Sequence, residues 1–477
     1  MEFYINGQYV KPENENEIPK YSPVTGELLY NFPSATKTEA QNAVDSAMEA
    51  FPAWSATTSK ERSMLLLRVY NLMESRRSEL EDILMKENGK IISEAKGEVD
   101  GVLDQLWYYI GFERKLNGDF VEGDTSMRRI IQSRVPYGVV LALTPWNFPA
   151  AMVIRKLAPA LLCGNTVIVK PSSDTPGSAE WIVRKFSEVG FPKGVVNFIT
   201  GSGSTIGDYL VENRKVSLIT MTGSTEVGMH IMNKASSNMA KLILELGGKA
   251  PFMVWKDADL KKAVDTLMWA KYSNAGQSCI AAERLYVQED IYIKFLQLFK
   301  EASMKITMDS PINGTMGPLI NRKAVSNTSK IITQAEENGS KVTKMGLAAA
   351  DRKYQNGFYY NPVLVEGADQ NSNVFQEEIF APVLPAMSVH SEDELLRLAN
   401  DSKYGLASYL FTRDIGIAMR LSEGIRFGEL YINMPGPESS QGYHTGFRLT
   451  GQAGEGSVHG IEEYLHLKNT YIDFSKD

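Results

Sequence analysis

From Arg128 onward, short runs rich in β-branched and apolar residues alternate with helical patterns. This alternation constrains the fold more than any other feature of the chain. The runs cover 129–135, 139–143, 166–169, 195–200, 216–222 and 241–246, with helical patterns at 178–189, 205–212 and 226–235. A strand, a helix of about that length and a further strand make a βαβ unit, whose strands lie parallel. The expected fold class is therefore α/β, with an open parallel sheet covered by helices on both faces. The alternation restarts after Lys249, with a helix over 260–271, a strand over 284–287 and a helix over 291–305, so a second α/β domain is expected. The first hundred residues read differently. After a strand region over 3–10, the capping-box forms Thr38-Glu39-Ala40-Gln41 and Ser78-Glu79-Leu80-Glu81 predict helix starts, and Asn88-Gly89 predicts a stop. Val99, Val102, Leu103, Leu106, Trp107 and Ile110 then form an apolar stripe at helical spacing, which predicts a core-facing helix.

Composition removes several function classes. The 477 residues suggest two to four domains, and 43% hydrophobic with 22% charged residues is ordinary for a globular chain rather than a disordered or fibrous one. Fifty Lys and Arg against 57 Asp and Glu give a net charge of −7, which opposes non-specific nucleic-acid binding. The most apolar region, 135–169, is cut by Pro136, Pro145, Pro149, Arg155, Lys156 and Pro159, so no membrane span is expected. The opening Met1 to Gly7 shows no basic segment followed by an apolar run, so no signal peptide is expected. Two cysteines, Cys163 and Cys279, rule out a disulfide framework and fit a reducing cytoplasm. The five histidines are scattered, with no paired His or Cys spacing, and no metal is expected.

Four constellations could carry chemistry. Gly201-Ser202-Gly203-Ser204-Thr205-Ile206-Gly207 follows a strand and opens a helix, where Gly203 and Gly207 let backbone N–H groups approach a phosphate. Thr222-Gly223-Ser224-Thr225 repeats that arrangement, and Ser224 either bonds a pyrophosphate or caps its helix. Cys279 follows the polar segment Asn274-Ala275-Gly276-Gln277-Ser278, where a thiol is accessible, whereas Cys163 reads as a small buried hydrophobe. Glu245 sits in an apolar strand, so desolvation raises its pKa toward that of a general base. The alternative for Glu245 is a strand-end carboxylate satisfied by Lys249 or by backbone donors.

Leu244-Glu245-Leu246-Gly247-Gly248-Lys249, with Cys279 34 residues after the Glu, resembles the signature of the aldehyde dehydrogenase superfamily. Pro145-Trp146-Asn147-Phe148-Pro149, Lys170-Pro171-Ser172, Gly223-Ser224-Thr225 and Glu377-Glu378-Ile379-Phe380-Ala381-Pro382 extend the resemblance over about residues 4–474. Ala381 stands where the family usually has Gly, and 443–448 departs from its usual C-terminal loop. The resemblance implies Cys279 as nucleophile, Asn147 with the Cys279 backbone N–H as oxyanion donors, and Glu245 as the base that hydrolyses a thioester. It assigns the nicotinamide cofactor to Pro145, Trp146, Lys170, Ser172, Ser173, Gly203, Gly207, Gly223, Ser224, Glu378 and Phe380. It further implies a Rossmann-like cofactor domain (1–118 and 136–247), a catalytic domain (248–445) and a bridging element (119–135 and 446–477) that builds a homodimer or homotetramer. A catalytically inactive relative, or an ester or thioester hydrolase using the same Cys and Glu, is the reading from another class.

Arg155 occupies a position where many family members have an aromatic residue, and its five donors suit a hydroxylated or carboxylated aldehyde. With Glu438 and His444 it resembles the lactaldehyde- and glyceraldehyde-oxidising branch, the alternative being succinate semialdehyde. Glu438 repels a second carboxylate but accepts from a hydroxyl. NAD-preferring members usually carry Glu where this chain has Ser173, so NADP is expected to be preferred, with NAD usable. Asp174 could restore discrimination against phosphate, and Ser173 could merely cap the next helix.

Overall fold

The computed structural model describes residues 1–13, 15–348, 351–436 and 438–475. Two parallel sheets dominate it. In the first, Val196–Phe198, Thr166–Pro171, Val139–Thr144, Val216–Thr222 and Lys241–Glu245 lie side by side and parallel in that spatial order. The earliest of these strands in the chain is central, and the chain builds outward on one side before crossing to the other. That reversal is the Rossmann-type switch point, and it opens a crevice at the carboxyl ends of Val139–Thr144 and Val216–Thr222. An N-terminal hairpin, Phe3–Ile5 and Gln8–Val10, closes one edge through an Asn6-Gly7 turn in which both residues have positive φ. Gly451–Gln452, inside the segment expected to bridge, closes the other edge antiparallel to Lys241–Glu245.

The second sheet runs in the order Lys341–Lys344, Val363–Glu366, Val383–Val389, Ala282–Gln288, Ala250–Val254, Ala407–Phe411 and Glu429–Ile432, parallel except at the first strand. The chain leaves the carboxyl end of Lys241–Glu245 and enters the amino end of Ala250–Val254 after only four residues. The carboxyl ends of the first sheet are thereby tied to the amino ends of the second, and the site forms at this junction. A third, antiparallel sheet of Asp119–Glu122, Arg128–Pro136 and Leu465–Asp473 stands apart from both.

The helices follow the expected patterns with shifts at their ends. The first long helix is Lys37–Ser55, and its capping box uses Thr36 with Glu39 rather than Thr38 with Gln41. Thr36 is the residue with extended backbone, which a capping side chain needs to reach back to the third helical N–H. Ser59–Ser75 has a second box from Thr58 and Glu61, while Arg77–Glu87 starts at Arg76 without the side-chain cap expected at Ser78. It does stop at Asn88, before Gly89 with φ 80°. In Ile92–Ile110 the residues Val99, Val102, Leu103 and Leu106 are buried, and each contributes about 1.5–3 kcal/mol by leaving water. Trp107 of the same stripe is 58% exposed, because it sits at the margin of that face. The run expected as a helix over 205–212 is a π-turn, Gly203–Gly207, followed by one helical turn, Asp208–Val211. Among the described residues no helix is long and apolar enough to cross a membrane.

Candidate active site

Helix Pro149–Leu162 leads into the site. Pro149 occupies its first turn, where a missing N–H costs nothing. The free N–H groups of Ala150 and Ala151 donate to the buried Glu98 carboxylate at 2.9 and 3.1 Å. Glu98 is balanced by Lys90 at 2.6 Å, whose ammonium also lies 3.7 Å from the Phe148 ring centroid. Asn88 Nδ2 donates to the Trp146 carbonyl at 2.7 Å. The Pro145-Trp146-Asn147 corner is therefore held from the neighbouring helices, and Asn147 itself is buried. Its Nδ2 donates to the Gln277 carbonyl at 3.2 Å, two residues before Cys279.

The loop before Cys279 is strained and heavily restrained. Asn274, Ala275 and Gly276 all have positive φ, at 50°, 56° and 75°. For Ala275 that conformation costs on the order of 1–3 kcal/mol, so surrounding bonds must impose it. Glu94 accepts from Asn274 N at 2.7 Å, and Asn274 Nδ2 donates to the Asn147 carbonyl at 2.9 Å. Gln277 Nε2 donates to the Asn274 and Pro318 carbonyls, and its Oε1 accepts from Ile320 N at 2.8 Å. On the opposite side a Cβ at Gly248 would overlap the Cys279 carbonyl, so only glycine allows the two segments to approach. Cys279 ends half-buried, while Cys163 is fully enclosed, its thiol pushed up to about 12 by burial.

The charged groups converge here. Glu245 is buried at the carboxyl end of its strand, and burial pushes its carboxyl up to about 8, against the pull of His444. Lys249 is not its partner: Lys249 Nζ lies 2.8 Å from Glu283, which removes the bland reading of Glu245 as a satisfied strand-end group. Among the described residues Glu245 Oε1 has no hydrogen-bond partner, and Oε2 lies 3.7 Å from His444 Nε2. Burial alone would push His444 down, but the Glu438 and Glu429 carboxylates, 3.2 and 2.9 Å from Nδ1, hold it well above the usual imidazole value. Glu438 pairs with Arg155 at 2.5 Å. Burial raises the Cys279 thiol, and the nearby His444 opposes that rise. Glu429, Glu438 and His444 also form a set of three metal-type ligand atoms within 4.8 Å, but a proton on His444 and the Arg155 guanidinium already balance both carboxylates. Sequence reasoning reached Arg155, Glu438 and His444. It missed Glu429, Glu94 and Gln277 as site residues, because nothing local marks a residue whose partners, His444, Asn274 and Ile320, lie 15, 180 and 43 positions away.

The residues assigned to a cofactor gather around the switch point. Lys170 is buried, among the described residues only the Pro171 carbonyl, at 3.3 Å, is within its hydrogen-bond reach, and burial pulls it down to about 8. An enclosed ammonium without a carboxylate partner fits a ligand rich in oxygen. A Cβ at Gly207 would touch the Lys170 side chain at 3.9 Å, whereas one at the exposed Gly203 would meet nothing. Ser172 accepts from Asp174 N at 3.2 Å, and Asp174 is occupied by Asn321 Nδ2 at 3.3 Å. The helix Pro176–Val189 has Thr175 at its N-cap, so Ser173 is half-buried and is not the cap. Ser224 does cap its helix, accepting from Val227 N at 3.3 Å, with Gly223 before it. Across the cleft, Glu378 accepts from Gly248 N at 2.8 Å and burial pushes it up to about 8. Phe380, at φ 55°, meets the Trp146 ring edge-on at 5.4 Å. Glu283 imposes that turn by accepting from both Ile379 N and Phe380 N.

A restrained nucleophile, a buried carboxyl of raised pKa and a Rossmann-type crevice together define an oxidoreductase of the aldehyde dehydrogenase family. The chain belongs to that family, whose model matches residues 9–470. It is 62% identical over 473 residues to the D-glyceraldehyde dehydrogenase (NADP(+)) of Thermoplasma acidophilum, covering 99% of this chain and 96% of the relative. The enzyme of the same name from Picrophilus torridus is 60% identical over 477 residues, covering 100% of this chain and 97% of the relative. Among solved structures, lactaldehyde dehydrogenase from Escherichia coli superposes with a TM-score of 0.96 at 36% identity, covering 99% of each chain.

Proposed function

We propose that the protein oxidises D-glyceraldehyde, or a similarly small hydroxyaldehyde such as lactaldehyde or glycolaldehyde, to the carboxylic acid, with NADP preferred over NAD. The observation that carries the substrate reading is the Arg155–Glu438–His444 cluster around Cys279. Glu438 already neutralises Arg155, so a succinate-type carboxylate entering here meets no free cation and faces Glu429 as well. A substrate hydroxyl, by contrast, finds both acceptors and donors within reach. The named relatives at 62% and 60% identity support the same choice of aldehyde and cofactor.

In this reading the Cys279 thiolate adds to the aldehyde carbon, and the carbonyl electron pair moves to oxygen. The second Asn147 amide hydrogen and the Cys279 backbone N–H receive that oxyanion. NADP, when bound, supplies the two-electron acceptor. Lys170, Ser172 and Ser173 would hold its adenosine side, and Gly203, Gly207, Gly223 and Ser224 would face its phosphates. Glu378, Phe380, Pro145 and Trp146 would frame the nicotinamide side. Glu245 takes a proton from the water that hydrolyses the remaining Cys279 thioester. A panel of kcat/KM values with both cofactors tests the proposal. Glyceraldehyde, lactaldehyde or glycolaldehyde with NADP is expected to lead. Succinate semialdehyde ahead by tenfold, about 1.4 kcal/mol, or NAD equal to NADP, overturns it.

The same reading includes a homo-oligomer. Leu465–Asp473 is a nine-residue edge strand with Leu467, Tyr471 and Ile472 exposed, and Phe120 on the opposite edge strand is 68% exposed. Long apolar edges are stabilised by pairing with another chain. Sedimentation equilibrium at the mass of one chain would refute this. The two unpaired thiols support a reducing, cytoplasmic setting.

A further inference from the structure

The Asn274 side chain stands between the segments of the two oxyanion donors, and the roles above leave it unused. It is buried, and its Nδ2 donates to the Asn147 carbonyl at 2.9 Å and to the Gln277 carbonyl at 3.2 Å. The same Gln277 carbonyl accepts from Asn147 Nδ2 at 3.2 Å. An amide group is planar, so a bond to one of its two hydrogens fixes the direction of the other. The Gln277 carbonyl thus sets the plane of the Asn147 amide, and Asn274 sets that carbonyl against the Asn147 backbone. Cys279, whose backbone N–H is the second donor, follows two residues later.

Asn274 needs an anchor of its own, because it lies at φ 50° and is followed by Ala275 at φ 56°. Glu94 supplies the anchor: its Oε1 accepts from Asn274 N at 2.7 Å. Its Oε2 accepts from Ile91 N at 3.3 Å, which binds the carboxylate to the first turn of Ile92–Ile110. The start of that helix is itself tied down, since Ile92 N donates to the Pro311 carbonyl at 2.8 Å. One turn further on, Glu98 holds Ala150 N and Ala151 N, at the start of the helix that follows Asn147. Glu94 and Glu98 are four residues apart and share one face, so a single helix grips both the cysteine loop and the asparagine corner.

We propose that Glu94 and Asn274 position the oxyanion pocket, fixing the Asn147 amide and the Cys279 backbone N–H relative to one another before substrate arrives. Neither residue touches the reacting atoms, and both are positioning residues. Donors held in place in advance need no reorganisation when charge develops on the carbonyl oxygen, and a misplacement of about 1 Å costs on the order of 10²-fold in rate. This role rests on the oxyanion function given to Asn147 above.

Two reagents read Cys279 with and without an oxyanion. Thiolate attack on the carbonyl of 4-nitrophenyl acetate puts negative charge on oxygen, whereas iodoacetamide is attacked at a saturated carbon and needs no such pocket. Both are used without cofactor on the full chain carrying Cys163→Ala, in which Cys279 is the one thiol left. Neither reagent depends on which aldehyde or nicotinamide is natural. Asn274→Gly deletes the amide and accepts the positive φ. It is expected to lower kcat for the ester at least tenfold, with KM and the alkylation rate held within about twofold. Glu94→Gln keeps the volume and should act in the same direction by less, which guards against an Asn274 variant that fails to fold. In an Asn147→Ala background the donor is already gone, and adding Asn274→Gly should cost less than about twofold more. Unchanged ester hydrolysis in Asn274→Gly and Glu94→Gln, independent effects of Asn274→Gly and Asn147→Ala, or alkylation that falls in step with ester hydrolysis overturns the positioning role and leaves Asn147 as a donor. An Asn147→Ala protein with undiminished ester hydrolysis overturns the oxyanion function and the positioning role together.

Discussion

Glu245→Gln separates two consequences of one buried carboxyl. Glu245 titrates near 8 in the folded chain against an ordinary 4.5. Below pH 4.5 both folded and unfolded chains hold the proton, and its contribution to stability is fully present. Between 4.5 and 8 the folded chain keeps a proton that the unfolded chain has released, so stability falls as pH rises, by about 1.4 kcal/mol per unit. By pH 7 that loss amounts to about 3 kcal/mol, and a glutamine, which never ionises, does not suffer it. The amide must find partners where Glu245 Oε1 has none, which returns about 1–2 kcal/mol of the gain. Thermal melts of both proteins at pH 5 and pH 8 should therefore show a stability difference that grows with pH in favour of the variant. A difference independent of pH, or one of opposite sign, refutes the desolvation argument. Catalysis should move the other way. The variant is expected to release one burst of reduced cofactor per site and then stall, with steady turnover down by about 10²–10⁴-fold. Full steady turnover refutes Glu245 as the base.

Cys279→Ala is expected to abolish NADP-dependent aldehyde oxidation in the same assay. Cys163→Ala, which changes an enclosed thiol bonded to the Ile461 carbonyl at 3.6 Å, should retain most of it. Ser173→Glu should shift the kcat/KM ratio toward NAD, because a carboxylate about 4 Å from the 2′-phosphate repels it by about 4 kcal/mol at an effective dielectric near 20. An unchanged ratio in that variant would remove Ser173 from the discrimination of cofactors.

Much of the scaffold and part of the site were legible in the linear chain. The central strands and most helices appeared in their places because hydrophobic period and capping are local, written within four or five residues. Cys279, Glu245, Asn147 and Lys170 stood out through short motifs, and the crevice brings their segments together at the ends of adjoining strands. The misplaced features were those that local pattern leaves degenerate. Thr36 and Thr38 both precede plausible boxes, and only the backbone conformation chooses between them. Trp107 fits an apolar stripe, yet neighbours decide whether that margin is covered.

The sequence by itself determined the α/β class, the order of strands and helices, and the kinds of group available for chemistry. Tertiary structure alone decided how those groups act on one another. It gave Lys249 to Glu283 instead of Glu245, held Asp174 with Asn321 and set Arg155 against Glu438. It also placed His444 between Cys279, Glu245 and Glu429, residues separated by up to 199 positions. The physical reason is range. Backbone periodicity is a property of neighbours in sequence, whereas pKa values and ion pairs depend on burial and on charges a few ångströms away, and sequence distance carries no information about either.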